Sequence, residues 1–224
     1  MTPLVLLPGM MCDARMWGPI PDAWHPPLPP PDLHTLPAMA AQLLAGLPPR
    51  FALAGLSMGG ILAMELVRQA PDRIDRLALL DTNPLAEAPE VRARRIPQIA
   101  RVLAGELAAV MRDEMKPHYL AQGLHRQAIL NLCMDMALDL GPQVFVAQSH
   151  ALASRPDYCA TLAAFNGPAL VLMGAEDRLC PKSRHDLMHA LMPQSRLVII
   201  DGAGHLPVLE QPGPTAAALR DWLS

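Results

Sequence analysis

The chain has 224 residues and a formal charge of −3, with 51% of its residues apolar and 17% charged. That length suits one domain with room for an inserted subdomain, and the apolar share excludes wholesale disorder. No basic stripe suggests a nucleic-acid partner, and no breaker-free apolar run of about 18 residues suggests a membrane partner.

The start, MTPLVLLPG, has no basic segment and reads as a strand rather than a signal peptide. A proline-rich stretch, residues 19–37, follows. It is expected to be an extended connector with one short strand near Leu33, in preference to a proline-motif ligand. FALAGLS then runs into a helix over residues 59–70, stopped by Pro71, and RIDRLALLDTN, residues 73–83, is the next strand. These strands are continuous runs of Val, Leu and Ile, as expected where both faces of a parallel sheet are buried.

Residues 84–141 hold only helical patterns, among them VRARRIPQIARVLAG, ELAAVMRDEM and RQAILNLCMDMALDL. One crossover needs far less, so this span is expected to be a helical cap inserted into a core of residues 1–83 and 142–224. PQVFVAQSHALAS returns toward the sheet. PALVLMGAED (168–177) and SRLVIIDGAG (195–204) complete the strands, with helices over 182–191 and 215–223. Alternating strands and helices predict an α/β fold with its chemistry at the carboxyl ends of the strands. The four cysteines, Cys12, Cys133, Cys159 and Cys180, fit no zinc or redox spacing and are expected to be reduced thiols of a cytoplasmic protein.

GLSMG, residues 55–59, matches G-x-S-x-G. By chance such a pattern arises in roughly one chain of this size in ten, so its context matters more. A strand precedes it and a helix follows, as a nucleophile elbow requires. Glycine two residues to either side lets the strained turn form, and the serine hydroxyl then stands clear of the sheet edge. Ser57 is the candidate nucleophile. The Met58 N–H opens a helix, where unpaired donors favour a developing oxyanion. His205, in the glycine-marked loop GAGHLPVLEQP, is the candidate base, and Asp177, ending the preceding strand, is the candidate orienting acid. Asp81 also ends a strand and is the rival acid. LLPGM places the Met10 N–H as a second oxyanion donor, with Gly9, Met11 and Met16 as substrate-pocket candidates. Cys12 and Cys180 lie nearby as bystanders. His118 and His150 are expected to be surface or structural residues, and would bear on the site if the cap folds over it.

LLPGM, GLSMGG, LLDTNP, GAEDRLCP and GAGHLPVLEQP occur in order across nearly the whole chain. As a set they resemble the α/β-hydrolase-fold superfamily of esterases, lactonases and thioesterases. The resemblance implies a mostly parallel sheet, Ser57, His205 and Asp177 as a triad, and Met10 and Met58 as oxyanion donors. Many members begin with an antiparallel hairpin. This chain starts directly on the strand leading to PGM, which implies a sheet trimmed to about six strands.

The resulting expectation is a serine hydrolase acting on a small, largely apolar carboxylic ester through an acyl-enzyme, with no metal or organic cofactor. Its partner would be a small acyl compound, with neither nucleic acid nor membrane involved. Acyl transfer, perhydrolysis and C–C hydrolysis would use the same residues. A non-catalytic ligand receptor on the same scaffold is the reading from another class.

Overall fold

Six strands form one sheet in the order β2-β1-β3-β4-β5-β6. They are β1 (Leu4–Leu7), β2 (Ala23–Trp24), β3 (Phe51–Leu56), β4 (Ile74–Leu80), β5 (Ala169–Gly174) and β6 (Arg196–Ile200). Every pairing is parallel, with Leu4 opposite Ala52 and Leu77 opposite Ala169. A computed structural model provides these coordinates, and it describes residues 2–18 and 23–224. Residues 19–22 of the expected connector therefore lie outside the described residues.

Alternation along each strand feeds two apolar cores. Val5, Leu7, Leu53, Leu79 and Val171 face one side, against helices α1 (Leu36–Gly46) and α2 (Met58–Gln69). Leu4, Leu6, Leu56, Leu80 and Leu172 face the other, covered in part by Trp222.

Between β4 and β5 the chain forms helices only. They are α3 (Pro89–Arg101), α4 (Leu107–Val110), α5 (Arg126–Ala153) and α6 (Cys159–Ala164). Among the described residues α5 alone is long and apolar enough to cross a bilayer by length and composition. It is broken at Gly141, where φ is 80° and Pro142 follows, and its later half sends Phe145, Ala147 and Ala151 into the core. Helix α7 (Lys182–Leu191) joins β5 to β6, and α8 (Pro207–Glu210) and α9 (Pro212–Leu223) close the chain.

The short strand expected near Leu33 is Ala23–Trp24 instead, paired with β1. Leu33 closes a turn, its N–H bonding Pro30 O at 3.1 Å. Five prolines at 26, 27 and 29–31 have no N–H to donate, so this stretch cannot extend the ladder.

Candidate active site

Ser57 sits between β3 and α2 with φ 56° and ψ −118°. The turn is possible because its neighbours lack side chains. A Cβ on Gly55 would lie 2.2 Å from Gly59 O, and one on Gly59 would lie 2.1 Å from Leu7 O. The strained backbone is held on both sides. Ser57 N–H donates to Leu80 O at 2.9 Å, and Ser57 O accepts from Thr82 Oγ1 at 2.7 Å.

The Ser57 hydroxyl lies 2.8 Å from His205 Nε2. His205 Nδ1 lies 3.0 Å from Asp177 Oδ2, and both side chains are almost fully buried. The other Asp177 oxygen accepts the N–H groups of Leu179 (2.8 Å) and Cys180 (3.1 Å). Burial alone pushes the Asp177 carboxyl up. The charge and hydrogen bond of His205 and the two backbone donors outweigh that and hold it below its ordinary range. Three residues separated by up to 148 positions thus meet at the carboxyl edge of the sheet.

Asp81 stands behind this row. Its Oδ1 accepts Gly174 N–H at 2.9 Å, and it makes no hydrogen bond to His205. Burial, and then the charge of Asp177, push its carboxyl well above the ordinary range. Asp177, rather than Asp81, contacts the imidazole. Cys180 lies close by, with its sulfur and donor atoms of Asp177 and His205 within 4.8 Å of one another. The carboxylate and imidazole of that cluster are already bonded to each other. Burial and the Asp177 charge raise the Cys180 thiol well above its usual range, so it is a poor thiolate ligand or nucleophile.

Met58 opens α2, where an N–H has no partner within the helix. Across the cleft, the N–H groups of Gly9, Met11 and Cys12 bond Met16 Sδ, Gln148 Oε1 and Gly9 O. Among the described residues the Met10 N–H of that run has no acceptor. Met10, Ser57, Met58 and His205 line one cavity of about 600 Å³.

Gly9, Met11 and Met16 are absent from that cavity's lining. Met11 takes φ 55° and packs fully buried, as does Met16, whose sulfur accepts the Gly9 N–H. Both methionines serve the two cores instead. His118 does line the cavity, whereas His150 packs against the His34 ring at 5.5 Å. The lining is also not largely apolar. Arg94, Arg95, Arg155, Arg178 and Arg184 face it, because the aliphatic residues that dominate the composition are used up in the sheet's cores.

Composition and motif gave no role to Glu210. Its carboxylate accepts the N–H groups of Gly204 and Leu206, which flank His205, at 3.0 Å each. It also accepts Ala121 N–H at 2.8 Å, while His205 N–H bonds Tyr119 O at 2.6 Å. The signal in the sequence is its place, five residues after the histidine at the end of the short helix α8.

The model of the alpha/beta hydrolase family matches residues 4–218. The chain belongs to the α/β hydrolase family. A thermophilic esterase from Thermogutta terrifontis, solved with malate bound, superposes with a TM-score of 0.91 at 31% identity, over 100% of this chain and 89% of that one. A pimeloyl-[acyl-carrier protein] methyl ester esterase of Aromatoleum aromaticum is 28% identical over 84% of this chain and 79% of its own length. The biotin biosynthesis bifunctional protein BioHC of Cellvibrio japonicus is 28% identical over 98% of this chain, which spans 47% of that longer protein. This α/β hydrolase is accordingly a carboxylesterase-like enzyme on a six-stranded version of the fold.

Proposed function

We propose that the chain is a serine esterase that cleaves a small carboxylic ester through an acyl-enzyme on Ser57. The observation that carries this is the unbroken row of contacts, Ser57 Oγ to His205 Nε2 at 2.8 Å and His205 Nδ1 to Asp177 Oδ2 at 3.0 Å. With its proton on Nδ1, the imidazole leaves Nε2 free to take the Ser57 proton as Oγ attacks the ester carbonyl. The carbonyl electrons move onto oxygen, which the N–H groups of Met10 and Met58 receive. As the C–O bond breaks, His205 returns the proton to the departing alcohol. Water then repeats the sequence, with His205 as base, and frees the acid. Asp177 keeps the tautomer and stabilises the imidazolium.

Residues 84–141 act as the cap over a core of residues 1–83 and 142–224, a division supported by the break at Gly141 and by the cap residues Arg94, Arg95 and His118 in the cavity wall. The methyl ester esterase relatives support a small alcohol as leaving group. The cysteines are unpaired among the described residues, which supports a reducing, cytoplasmic setting.

The test is a fluorophosphonate probe together with a panel of p-nitrophenyl esters. Labelling at Ser57 and ester turnover that both vanish in Ser57→Ala, with thermal unfolding unchanged, is the expected result. Turnover surviving in that variant refutes the assignment, and labelling without turnover of any ester points to a receptor on this scaffold.

A further inference from the structure

The cavity around Ser57 carries a charge opposite to that of the whole molecule. The protein is formally −3, yet five arginines line this cavity against three glutamates, Glu87, Glu90 and Glu114. Glu114 is engaged by Arg101, which lies outside the cavity lining, and by Gln98 within it.

Two of the arginines are buried. The side chains of Arg95, Arg155 and Glu87 are 11%, 9% and 2% exposed. Arg95 donates to Glu87 through Nε and Nη2 at 2.6 and 2.7 Å. Arg155 donates to Glu87 Oε1 at 3.1 Å and to Leu85 O at 3.0 Å. Two buried guanidiniums therefore share one carboxylate, and one positive charge is left without a counter-charge. Leaving a buried charge unpaired costs several kcal/mol. Burial already lowers the Arg155 pKa from its usual value. Among the described residues the remaining Arg95 nitrogen, Nη1, meets only Met10 Sδ at 3.8 Å, a weak acceptor. Met10 and Arg95 line the same cavity as Ser57, so the spare donor lies in the wall of the pocket where the chemistry is proposed.

A planar guanidinium with free donors in a water-poor wall is built to take a carboxylate. We propose that the Arg95–Glu87–Arg155 cluster binds a carboxylate carried by the substrate, so that the ester cleaved is a half-ester of a dicarboxylic acid. This rests on the serine esterase reading above and replaces a largely apolar substrate with an anionic one. The exposed Arg94 and Arg178, which form no ion pair among the described residues, lie on the same cavity and favour entry of an anion.

Two measurements separate this proposal from the esterase reading. The first compares kcat/KM for the monomethyl and dimethyl esters of succinate, glutarate and adipate. The half-ester of the preferred length should win by about tenfold or more, through KM, and Arg155→Gln or Arg95→Gln should cut that ratio by about tenfold. The second needs neither turnover nor a variant: calorimetric binding of the three dicarboxylates against the corresponding diamides, with the preferred dicarboxylate about tenfold tighter or better. Diamides that bind as well as the diacids, or diesters cleaved as well as half-esters, overturn the anionic site while leaving the esterase standing. Selective diacid binding with no ester cleaved at all would do the reverse.

Discussion

Glu210 offers a sharp test of how the base is held, because its carboxylate makes contacts that can be removed in two steps. Glu210→Ala deletes the acceptor for Gly204, Leu206 and Ala121 N–H together. Hydrogen bonds to a charged group are each worth about 1.5–3 kcal/mol. The side chain is half-buried and water will refill part of the space, so the summed loss is on the order of 3 kcal/mol. For a chain of this length that lowers Tm by roughly 10 °C. Glu210→Gln is gentler and more selective. Its amide oxygen can still serve Gly204 and Leu206, but its NH2 group then opposes the Ala121 N–H, donor against donor. That variant should lose on the order of 1 kcal/mol. It cuts the carboxylate tie between the His205 loop and the turn before α5, where among the described residues the remaining hydrogen bond is His205 N–H on Tyr119 O. If the loop shifts by about 1 Å, kcat falls by about 10². The assays are thermal unfolding by circular dichroism and turnover of a p-nitrophenyl ester, on both variants. A Glu210→Ala protein with Tm within about 2 °C of the parent and undiminished kcat would refute the role assigned to this carboxylate.

The two acids should respond in opposite ways. Asp177→Asn should lower kcat by about 10⁴, whereas Asp81→Asn should leave most of the turnover, since Asp81 makes no hydrogen bond to His205 and the amide oxygen can still accept Gly174 N–H; the reverse pattern would exchange their roles. Asp81 also gives a pH signature. Its folded pKa is raised, so the folded state holds a proton that the unfolded chain has already released, and stability is lost as pH climbs past the ordinary carboxylate range. The Tm of Asp81→Asn relative to the parent should therefore rise between about pH 4 and about pH 8, and a difference that stays flat would remove the case for a neutral Asp81. Gly59→Ala puts a Cβ 2.1 Å from the backbone carbonyl oxygen of Leu7, which cannot swing aside as a side chain could, and should destabilise by about 3 kcal/mol or more in a denaturant titration; parent-like stability would mean the elbow is looser than its geometry.

What could be read in advance follows from how local each requirement is. The elbow imposes its demands on immediate neighbours, so Gly55 and Gly59 announce Ser57 within five residues. Asp177 and His205 were legible because each follows an apolar strand, the buried β5 and the half-exposed edge strand β6, and parallel topology brings such loops to one edge. Met11 and Met16 were not. Met11 points into the core because its backbone takes φ 55° and its N–H finds Gln148, 137 residues away, a partner that no local pattern signals. The charged lining of the cavity was hidden for a similar reason. Arg95 and Arg155 lie 60 positions apart in the sequence, and only the fold places Glu87 between them. The edge strand falls at Ala23–Trp24 rather than near Leu33 because the prolines before Leu33 have no N–H to offer β1.

Backbone strain in the described residues gathers where the chemistry is proposed. The non-glycine residues with positive φ are Met11 at 55°, Ser57 at 56° and Asp81 at 42°, and each lies at or just beyond the carboxyl end of a strand. Such conformations cost on the order of 1–3 kcal/mol each, so together they rival the net stability of a typical domain, about 5–15 kcal/mol. They persist because neighbouring strands over-determine them. The last carbonyl of β4, on Leu80, accepts Ser57 N–H, and Leu172 of β5 accepts Asp81 N–H, both at 2.9 Å. Ile200, ending β6, accepts Ala175 N–H at 2.9 Å just before Asp177. Each strand thus pins the turn that leaves the strand beside it. Asp81 adds a side-chain link to Gly174 at the end of β5. Two hydrogen bonds joined by the Leu80–Asp81 peptide, Ser57 to Leu80 and Asp81 to Leu172, therefore link the nucleophile's turn to the strand that carries the acid. Asp81 touches no reacting group, yet it fixes the spacing between β4 and β5 on which the reach of His205 to both partners depends.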